Sequence, residues 1–137
     1  MKKVFLDTNV VLDFFLNREG FSDDAEAILA KGYSRTCTLL VSSLTYANVA
    51  YVARKKFPGD AIYPVLDSLS ELTEVAAMDA NVVESAIASR AKDYEDALQY
   101  FSARLSGADC LVTRNVKDFP HSDFRILTPR EFLQQMK

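Results

Sequence analysis

The sequence has only two cysteines, one histidine and no apolar run long enough to cross a membrane. The thiols Cys37 and Cys110 lie in separate β-like runs without the spacing of a metal knuckle, so we expect two reduced core residues. With His121 as the lone histidine, imidazole-centred chemistry is not expected. The N-terminus lacks the features of a signal peptide, which predicts a soluble cytoplasmic protein. The formal net charge of −3 provides no global attraction to nucleic acid, so any such binding needs a local basic surface.

The overall composition is that of an ordinary globular domain. The chain has 137 residues, of which 49% are hydrophobic and 26% are charged. A chain of this size buries most of the surface that it exposes when unfolded. We find no repeat and no linker, and we therefore expect a single domain, residues 1–137, with one core.

Short β-like runs alternate with segments in which apolar residues recur at helical spacing. The predicted strands are 3–6, 36–41, 73–76, 110–113 and 125–127. The predicted helices are 8–17, 22–33, 44–57, 60–70, 79–92, 94–106 and one that begins near residue 128. This alternation favours an α/β fold in which helices cover both faces of a mostly parallel sheet of four to five short strands.

Several helices carry signals for their ends and for their inward faces. Ser22 is a candidate N-cap, Gly107 suits the position after a helix, and Thr128 with Glu131 forms a capping box. In the segment 44–57, the residues at helical spacing are Leu44, Ala47 and Tyr51. In the segment 94–106, the predicted apolar stripe is Tyr94, Ala97, Leu98, Phe101 and Leu105.

Polar residues follow two of the predicted strands at the edge where ligands of such folds gather. Asp7 comes directly after the first strand, and the Thr113-Arg114-Asn115 turn follows a later one. A carboxylate between two apolar runs must reach solvent or find a cation or hydrogen-bond donors. Asp7 is therefore either a helix cap or a ligand at the end of the strand.

Two further acidic segments lie downstream, and each has a plain structural interpretation. Asp93 suits an N-cap, with Glu95 and Asp96 in the first helical turn, where the helix dipole favours acids. Asp118 suits a turn. If Asp7, Asp96 and the loop at 115–118 converge, their like charges need a cation at close range. Such an oxygen-rich site suits Mg²⁺ or Mn²⁺, which would activate a water molecule and stabilise a phosphodiester under attack.

Four segments in order resemble the motifs of the PIN domain family, which includes the VapC-type toxin ribonucleases. They are VFLDTNVVLDFFLNR, VSSLTYANVAYVARK, DYEDALQYFSA and LVTRNVKDF, the last followed by RILTPREFL. The EDALQ and TRNVKDF segments are similar to one prokaryotic subgroup. The resemblance covers essentially the whole chain and implies a PIN-like three-layer α/β/α fold.

The resemblance also implies roles for individual residues. Asp7, Asp96 and Asp118 match the catalytic, metal-binding acids of the family. The supporting positions are Thr8, Asn9, Asp93, Glu95, Thr113 and Asn115. Many members carry a glutamate where this chain has Asn48, which removes one negative charge, and Glu95 or Asp93 are candidates to compensate.

Basic and aromatic residues suggest a surface for RNA, with a structural alternative in each case. Arg54, Lys55 and Lys56 end one predicted helix, and Arg114 and Lys117 flank the proposed site; they either hold phosphates or are solvated charges. Tyr46, Tyr51 and Tyr100 either stack on bases or belong to the core.

Three functions compete at this point. The first is a Mg²⁺- or Mn²⁺-dependent endoribonuclease, the toxin of a toxin-antitoxin pair, with an RNA substrate, an antitoxin partner and a homodimeric state implied by the resemblance. The second is a catalytically silent module with the same fold that binds RNA or a protein. The third is a phosphatase-like enzyme with Asp7 as nucleophile, which is disfavoured because such enzymes usually carry a second acid where this chain has Asn9.

Overall fold

The computed structural model describes residues 2–119 and 124–136. The strands are β1 (Lys3–Leu6), β2 (Thr38–Ser42), β3 (Glu74–Ala76), β4 (Cys110–Val112) and β5 (Arg125–Leu127). The α-helices are α1 (Thr8–Phe15), α2 (Ser22–Tyr33), α3 (Ser43–Val52), α4 (Ile62–Leu72), α5 (Ala80–Ser89), α6 (Tyr94–Leu105) and α7 (Pro129–Gln135). Short 3₁₀ turns cover Ala53–Lys55, Gly59–Ala61 and Val116–Asp118. His121 lies outside the described residues.

The strands form one sheet in the order β3-β2-β1-β4-β5, and its four described pairings are all parallel. The central strand β1 is buried on both faces because Val4 and Leu6 belong to one apolar cluster and Phe5 to another. Helices α1 to α4 and α7 contribute to the first cluster, and α6 contributes to the second. This arrangement confirms the predicted three-layer α/β/α fold with a parallel sheet.

The helix boundaries follow the capping chemistry in most places. Ser42 accepts a hydrogen bond from Thr45 N at 3.2 Å, and Thr128 and Glu131 form the predicted capping box. The expected cap at Ser22 is wrong, because Phe21 occupies the N-cap position and no side chain caps α2. The helix predicted over 44–57 ends as an α-helix at Val52 and continues only as a 3₁₀ turn.

Two predicted inward faces differ from the observed ones. Tyr51 is 66% exposed, whereas Thr45 and Val49 form the buried face of α3. Tyr94 and Leu105 of α6 are exposed as well. The buried face of α6 consists of Ala97, Gln99, Tyr100, Ser102 and Ala103. Polar side chains therefore occupy part of an interface that apolar spacing had assigned to larger hydrophobic residues.

Both cysteines are free thiols in the core, as predicted. Burial raises the pKa of the Cys37 thiol above its ordinary value and raises the pKa of Cys110 to about 11. Among the described residues, no helix combines the length and the hydrophobicity that a membrane span requires.

Candidate active site

The carboxyl end of β1 holds Asp7 in a rigid polar setting. Asp7 Oδ1 accepts a hydrogen bond from Thr8 N at 2.9 Å, which caps α1, and Oδ2 accepts one from Thr113 Oγ1 at 2.9 Å. Burial raises the pKa of Asp7, and these two hydrogen bonds oppose the shift. Only 6% of the residue is exposed. The capping interpretation of Asp7 is confirmed, and the same geometry fixes its carboxylate at the edge of the sheet.

The first turn of α6 brings a second acid toward Asp7. Asp93 caps α6 by accepting a hydrogen bond from Asp96 N at 3.1 Å, as the structural interpretation predicted. The pKa of Asp96 is raised to about 7 by partial burial and by repulsion from Asp93, Asp7, Asp118 and Glu95. The acids from three separate segments therefore lie within electrostatic range of one another.

These acids do not form a closed cage for an ion. In residues 2–119 and 124–136, no three acidic, histidine or cysteine side chains stand together in an arrangement that could hold a metal ion. The donor set nevertheless suits Mg²⁺, which is commonly held by one or two carboxylates together with water and substrate phosphates. The electrostatic strain on Asp96 is of the kind that a divalent cation relieves.

Asn48, the neutral residue in the position expected to hold an acid, is paired with an acid from another helix. Its Nδ2 donates a hydrogen bond to Glu95 Oε1 at 2.7 Å, which joins α3 to α6. The negative charge of Glu95 also contributes to the raised pKa values of Asp7 and Asp96. A carboxylate is therefore present beside position 48 although the residue there is an amide.

A buried polar network lies behind Asp7, and sequence reasoning missed its central residue. Gln99 is 1% exposed, and its Nε2 donates to Thr8 Oγ1 at 2.9 Å and to Thr45 Oγ1 at 3.3 Å. Ser42 Oγ lies 3.3 Å from Thr45 Oγ1. The sequence carries no signal for this residue, because a polar side chain within a helix is usually exposed. The network ties α6 to the start of α1.

A second missed residue, Asp13, connects α1 to the loop after β4. Asp13 is 1% exposed, and its carboxylate lies 3.0 Å from Arg114 Nε and 3.3 Å from Arg18 Nη1. The Arg114 contact is an ion pair without hydrogen-bond alignment. Burial raises the pKa of Asp13, and the two arginines oppose that shift. Arg18 also donates to Asn9 Oδ1 at 3.2 Å, so the cluster reaches the residue two positions after Asp7.

The loop after β4 places the remaining predicted residues near this edge. Asn115 N donates to Thr113 Oγ1 at 3.1 Å, and Asp118 N donates to Asn115 O at 2.9 Å. Asp118 and Lys117 are exposed in the 3₁₀ turn Val116–Asp118. Thr113 therefore links the Asp7 carboxylate to the start of the loop that carries Asp118.

The basic run 54–56 and the tyrosines have local contacts of their own. The Arg54 guanidinium lies 3.8 Å from the ring centroid of Tyr51, and Lys56 Nζ donates to Phe15 O at 3.0 Å. Tyr100 is 4% exposed and Tyr46 packs against the core, which supports the core interpretation of these two rings. A role of Arg54 and Lys55 in RNA binding stays a prediction.

Comparison with known proteins places this architecture in a family. A family model described as a PIN domain matches residues 3–117. The chain belongs to the PIN domain family. The match spans β1 to the loop after β4, and it therefore includes Asp7, Asn48 and Asp96.

Solved structures show the same PIN fold. A chain of a toxin-antitoxin complex from Klebsiella pneumoniae is 24% identical with a TM-score of 0.71, covering 92% of this chain and 97% of that chain. The Mycobacterium tuberculosis toxin VapC20, described as cleaving the sarcin-ricin loop, is 16% identical with a TM-score of 0.63, covering 88% of this chain and 92% of that chain. No curated protein sequence matches significantly.

Proposed function

We propose that this PIN domain is a divalent-metal-dependent endoribonuclease and the toxin of a toxin-antitoxin pair. The observation that carries the proposal is the group of acids at the carboxyl edge of the sheet, where partial burial and, after it, repulsion from Asp93, Asp7, Asp118 and Glu95 raise the pKa of Asp96 to about 7. Partly buried carboxylates gathered in this way are typical of sites that hold cations. Membership of the PIN domain family supports nuclease chemistry at this edge.

Asp7, Asp96 and Asp118 would hold Mg²⁺ or Mn²⁺ in this proposal. When bound, the cation would supply charge stabilisation for the phosphodiester and would lower the pKa of an attacking water. Thr8 N and Thr113 Oγ1 keep the Asp7 carboxylate in place, because each donates a hydrogen bond to one of its two oxygens. Asp93 fixes the first turn of α6, and with it the position of Asp96.

The remaining residues bind and orient the RNA or support those that do. Arg114 and Lys117 follow β4 beside the acids, where their charge would hold phosphates that the acids repel. Asn9 accepts a hydrogen bond from Arg18, which orients this residue near the start of α1. Asn115 lies between Thr113 and Asp118 and would order the loop. Arg54 and Lys55 would extend the same RNA surface.

The partners proposed for this chain follow from its relatives. The Klebsiella pneumoniae neighbour is part of a toxin-antitoxin complex, which supports an antitoxin partner here. We also propose that residues 1–137 act as one domain, that the protein forms a homodimer and that it works in the cytoplasm. Gel filtration with light scattering measures the dimer directly, and a monomer at micromolar concentration would refute that part.

A silent RNA- or protein-binding module is the second candidate. It is favoured by the neutral Asn48 and by the absence of a three-ligand group in the described residues. Calorimetric titration with Mn²⁺ separates the two candidates. Binding that disappears in Asp96→Asn supports the nuclease, and no binding supports the module.

The direct test of the nuclease is cleavage of labelled single-stranded and hairpin RNA by the purified protein in Mg²⁺ or Mn²⁺. We expect cleavage that a chelator abolishes and that Asp7→Asn and Asp96→Asn both lose while their circular dichroism stays that of the wild type. The matched control is Asp67→Asn, which removes an exposed aspartate on α4 and should cleave normally. Cleavage by Asp7→Asn at the wild-type rate would refute the proposal.

A further inference from the structure

A cleft of about 370 Å³ opens beside the acids, between the segment that joins α1 to α2 and the start of α7. Its walls include Phe21, Asp24, Arg114, Thr128 and Arg130. The volume is at the small end of the range for ligand sites in proteins. None of the roles proposed above for the acids uses this cleft.

Two residues of the cleft wall lie next in sequence to residues that hydrogen-bond at the end of the sheet. Thr113 donates its hydroxyl to Asp7 Oδ2 at 2.9 Å and its amide to Leu127 O at 2.9 Å. Arg114 and Thr128, which line the cleft, are the next residues after Thr113 and Leu127. Two strand spacings, about 10 Å in all, separate the end of β1 from the end of β5. A single RNA strand spans a separation of this size within one or two nucleotides.

The wall of the cleft presents a flat stack of an arginine on an aromatic ring. The Cζ of Arg114 lies 4.0 Å from the ring centroid of Phe21, and its Nε is held by the buried Asp13 at 3.0 Å. Phe21 is 44% exposed. Nucleobases stack on aromatic rings and on arginine planes of this kind.

The charge around the cleft is opposite to that of the neighbouring site. Arg18, Arg114 and Arg130 lie against Asp13 and Asp24, which leaves a net charge of +1 for this group. The Arg130 side chain is 72% exposed, and its pair with Asp24 at 3.3 Å is solvent-facing and weak. The neighbouring group of Asp7, Asp93, Glu95, Asp96 and Asp118 consists of acids alone, so in the absence of a cation a phosphate is favoured in the cleft rather than over the acids.

We propose that this cleft binds the nucleotide next to the cleaved phosphodiester of an RNA strand. Its base extends the Arg114–Phe21 stack, and its phosphate contacts the terminal nitrogens of Arg114 and Arg130. Asp13 acts as a positioning residue, because its ion pair with Arg114 Nε at 3.0 Å keeps the guanidinium at the wall of the cleft. The inference rests on the proposed nuclease function and adds a binding site for one base of the substrate.

The test compares three single variants of the whole chain. Phe21→Leu keeps an apolar side chain and removes the ring, and Arg130→Gln removes one exposed cation. The matched control is Tyr33→Leu, which removes an aromatic ring that is 81% exposed at the opposite end of α2. The probe is a fluorescein-labelled single-stranded RNA of about ten nucleotides, a length within the usual site sizes. Its anisotropy is read in chelator, so that the RNA stays intact.

We expect the Kd for RNA to rise about tenfold in Phe21→Leu, because one stacking contact is lost. It should rise about threefold in Arg130→Gln, because one cation is lost, and it should not change in Tyr33→Leu. In cleavage assays with Mn²⁺, Phe21→Leu should raise KM by a similar factor at nearly constant kcat. Calorimetric Mn²⁺ affinity should be that of the wild type in all three variants. A 5-iodouridine RNA should crosslink to the peptide that contains Phe21.

The outcomes separate this inference from the proposed function. If the wild type cleaves RNA and Phe21→Leu binds and cleaves it equally well, the cleft does not hold a nucleotide and the inference is overturned. A protein partner would then be the alternative occupant of the cleft. If the wild type neither binds nor cleaves RNA, the nuclease proposal itself fails, and the nucleotide site fails with it. Loss of RNA affinity in Tyr33→Leu as well would assign the effect to general destabilisation and would also overturn the inference.

Discussion

Replacing Asp96 with asparagine should stabilise the metal-free protein at neutral pH. The pKa of Asp96 is about 7, compared with an ordinary value of 3.8. About three pKa units correspond to about 4 kcal/mol. The shift comes first from burial of the carboxylate and then from repulsion by the neighbouring acids. Because Asp96 is partly exposed to water, which reduces both effects, we expect about half of this, ~2 kcal/mol, in the free energy of unfolding. Asparagine has nearly the same shape and carries no charge for the neighbouring acids to repel.

The sign of the pH dependence follows from proton binding. Between pH 4 and pH 7 the folded protein keeps a proton on Asp96 that the unfolded chain has released, so raising the pH over this range lowers stability. The difference in the free energy of unfolding between Asp96→Asn and the wild type should therefore be close to zero at about pH 4 and should reach its full size above about pH 7. A divalent cation that binds this site should recover stability in the wild type and have less effect in the variant.

Urea denaturation in chelator, followed by circular dichroism at pH 4 and pH 8, measures this effect. The control is Asp67→Asn on the exposed side of α4, which should show the same pH dependence as the wild type. Similar m-values in all three proteins would indicate that the variants change the native state and not the extent of unfolding. Equal stability of wild type and Asp96→Asn at pH 8 would refute the electrostatic account of the site.

Three other predictions concern neighbouring features. Glu95→Gln should weaken Mn²⁺ binding about tenfold and Asn48→Glu should strengthen it, because metal affinity rises with the number of carboxylates. Calorimetry measures both affinities, and unchanged values would exclude this pair of residues from the metal site. Gln99→Leu should lower the free energy of unfolding by about 1 kcal/mol, read by urea denaturation, since the buried hydroxyls of Thr8 and Thr45 both lose the donor Gln99 Nε2. A more stable variant would contradict the structural role of the network. The thiol of Cys110, with a pKa of about 11, should react with Ellman's reagent at pH 8 only after unfolding, and rapid reaction of the native protein would show that it is accessible.

The fold could be predicted from the sequence because most of the local patterns agree with the global arrangement. The run at 3–6 became β1 with the predicted bounds, and alternation of strands with helices favoured parallel pairing. The ends of the helices were harder to predict from the sequence. A basic run of three residues had suggested a helix through 57, whereas the α-helix ends at Val52 and tightens into a 3₁₀ turn.

The acids of the candidate site could be identified from the sequence for a different reason. Asp7 interrupts two apolar runs, and Asp93 precedes a helix with acids in its first turn, so both stand out in the sequence. Asp13 and Gln99 do not, because a polar residue within a helix is usually exposed. Their burial depends on partners that are far away in the sequence, Arg114 for Asp13 and Thr45 for Gln99. Only the three-dimensional arrangement pairs these residues.

The central position of β1 has a consequence for how the protein is made. The hydrogen bond between Asp7 and Thr113 joins residues that are 106 positions apart, and so does the bond from Lys3 N to Asp109. At about 5–20 residues per second, a ribosome needs roughly 5–20 s to reach Thr113 after it has made Asp7. During this interval β1 is without β4, and the Asp7 carboxylate is without its hydroxyl donor. A nascent chain that ends before β4 therefore lacks both the hydroxyl that holds the Asp7 carboxylate and the loop that carries Asp118.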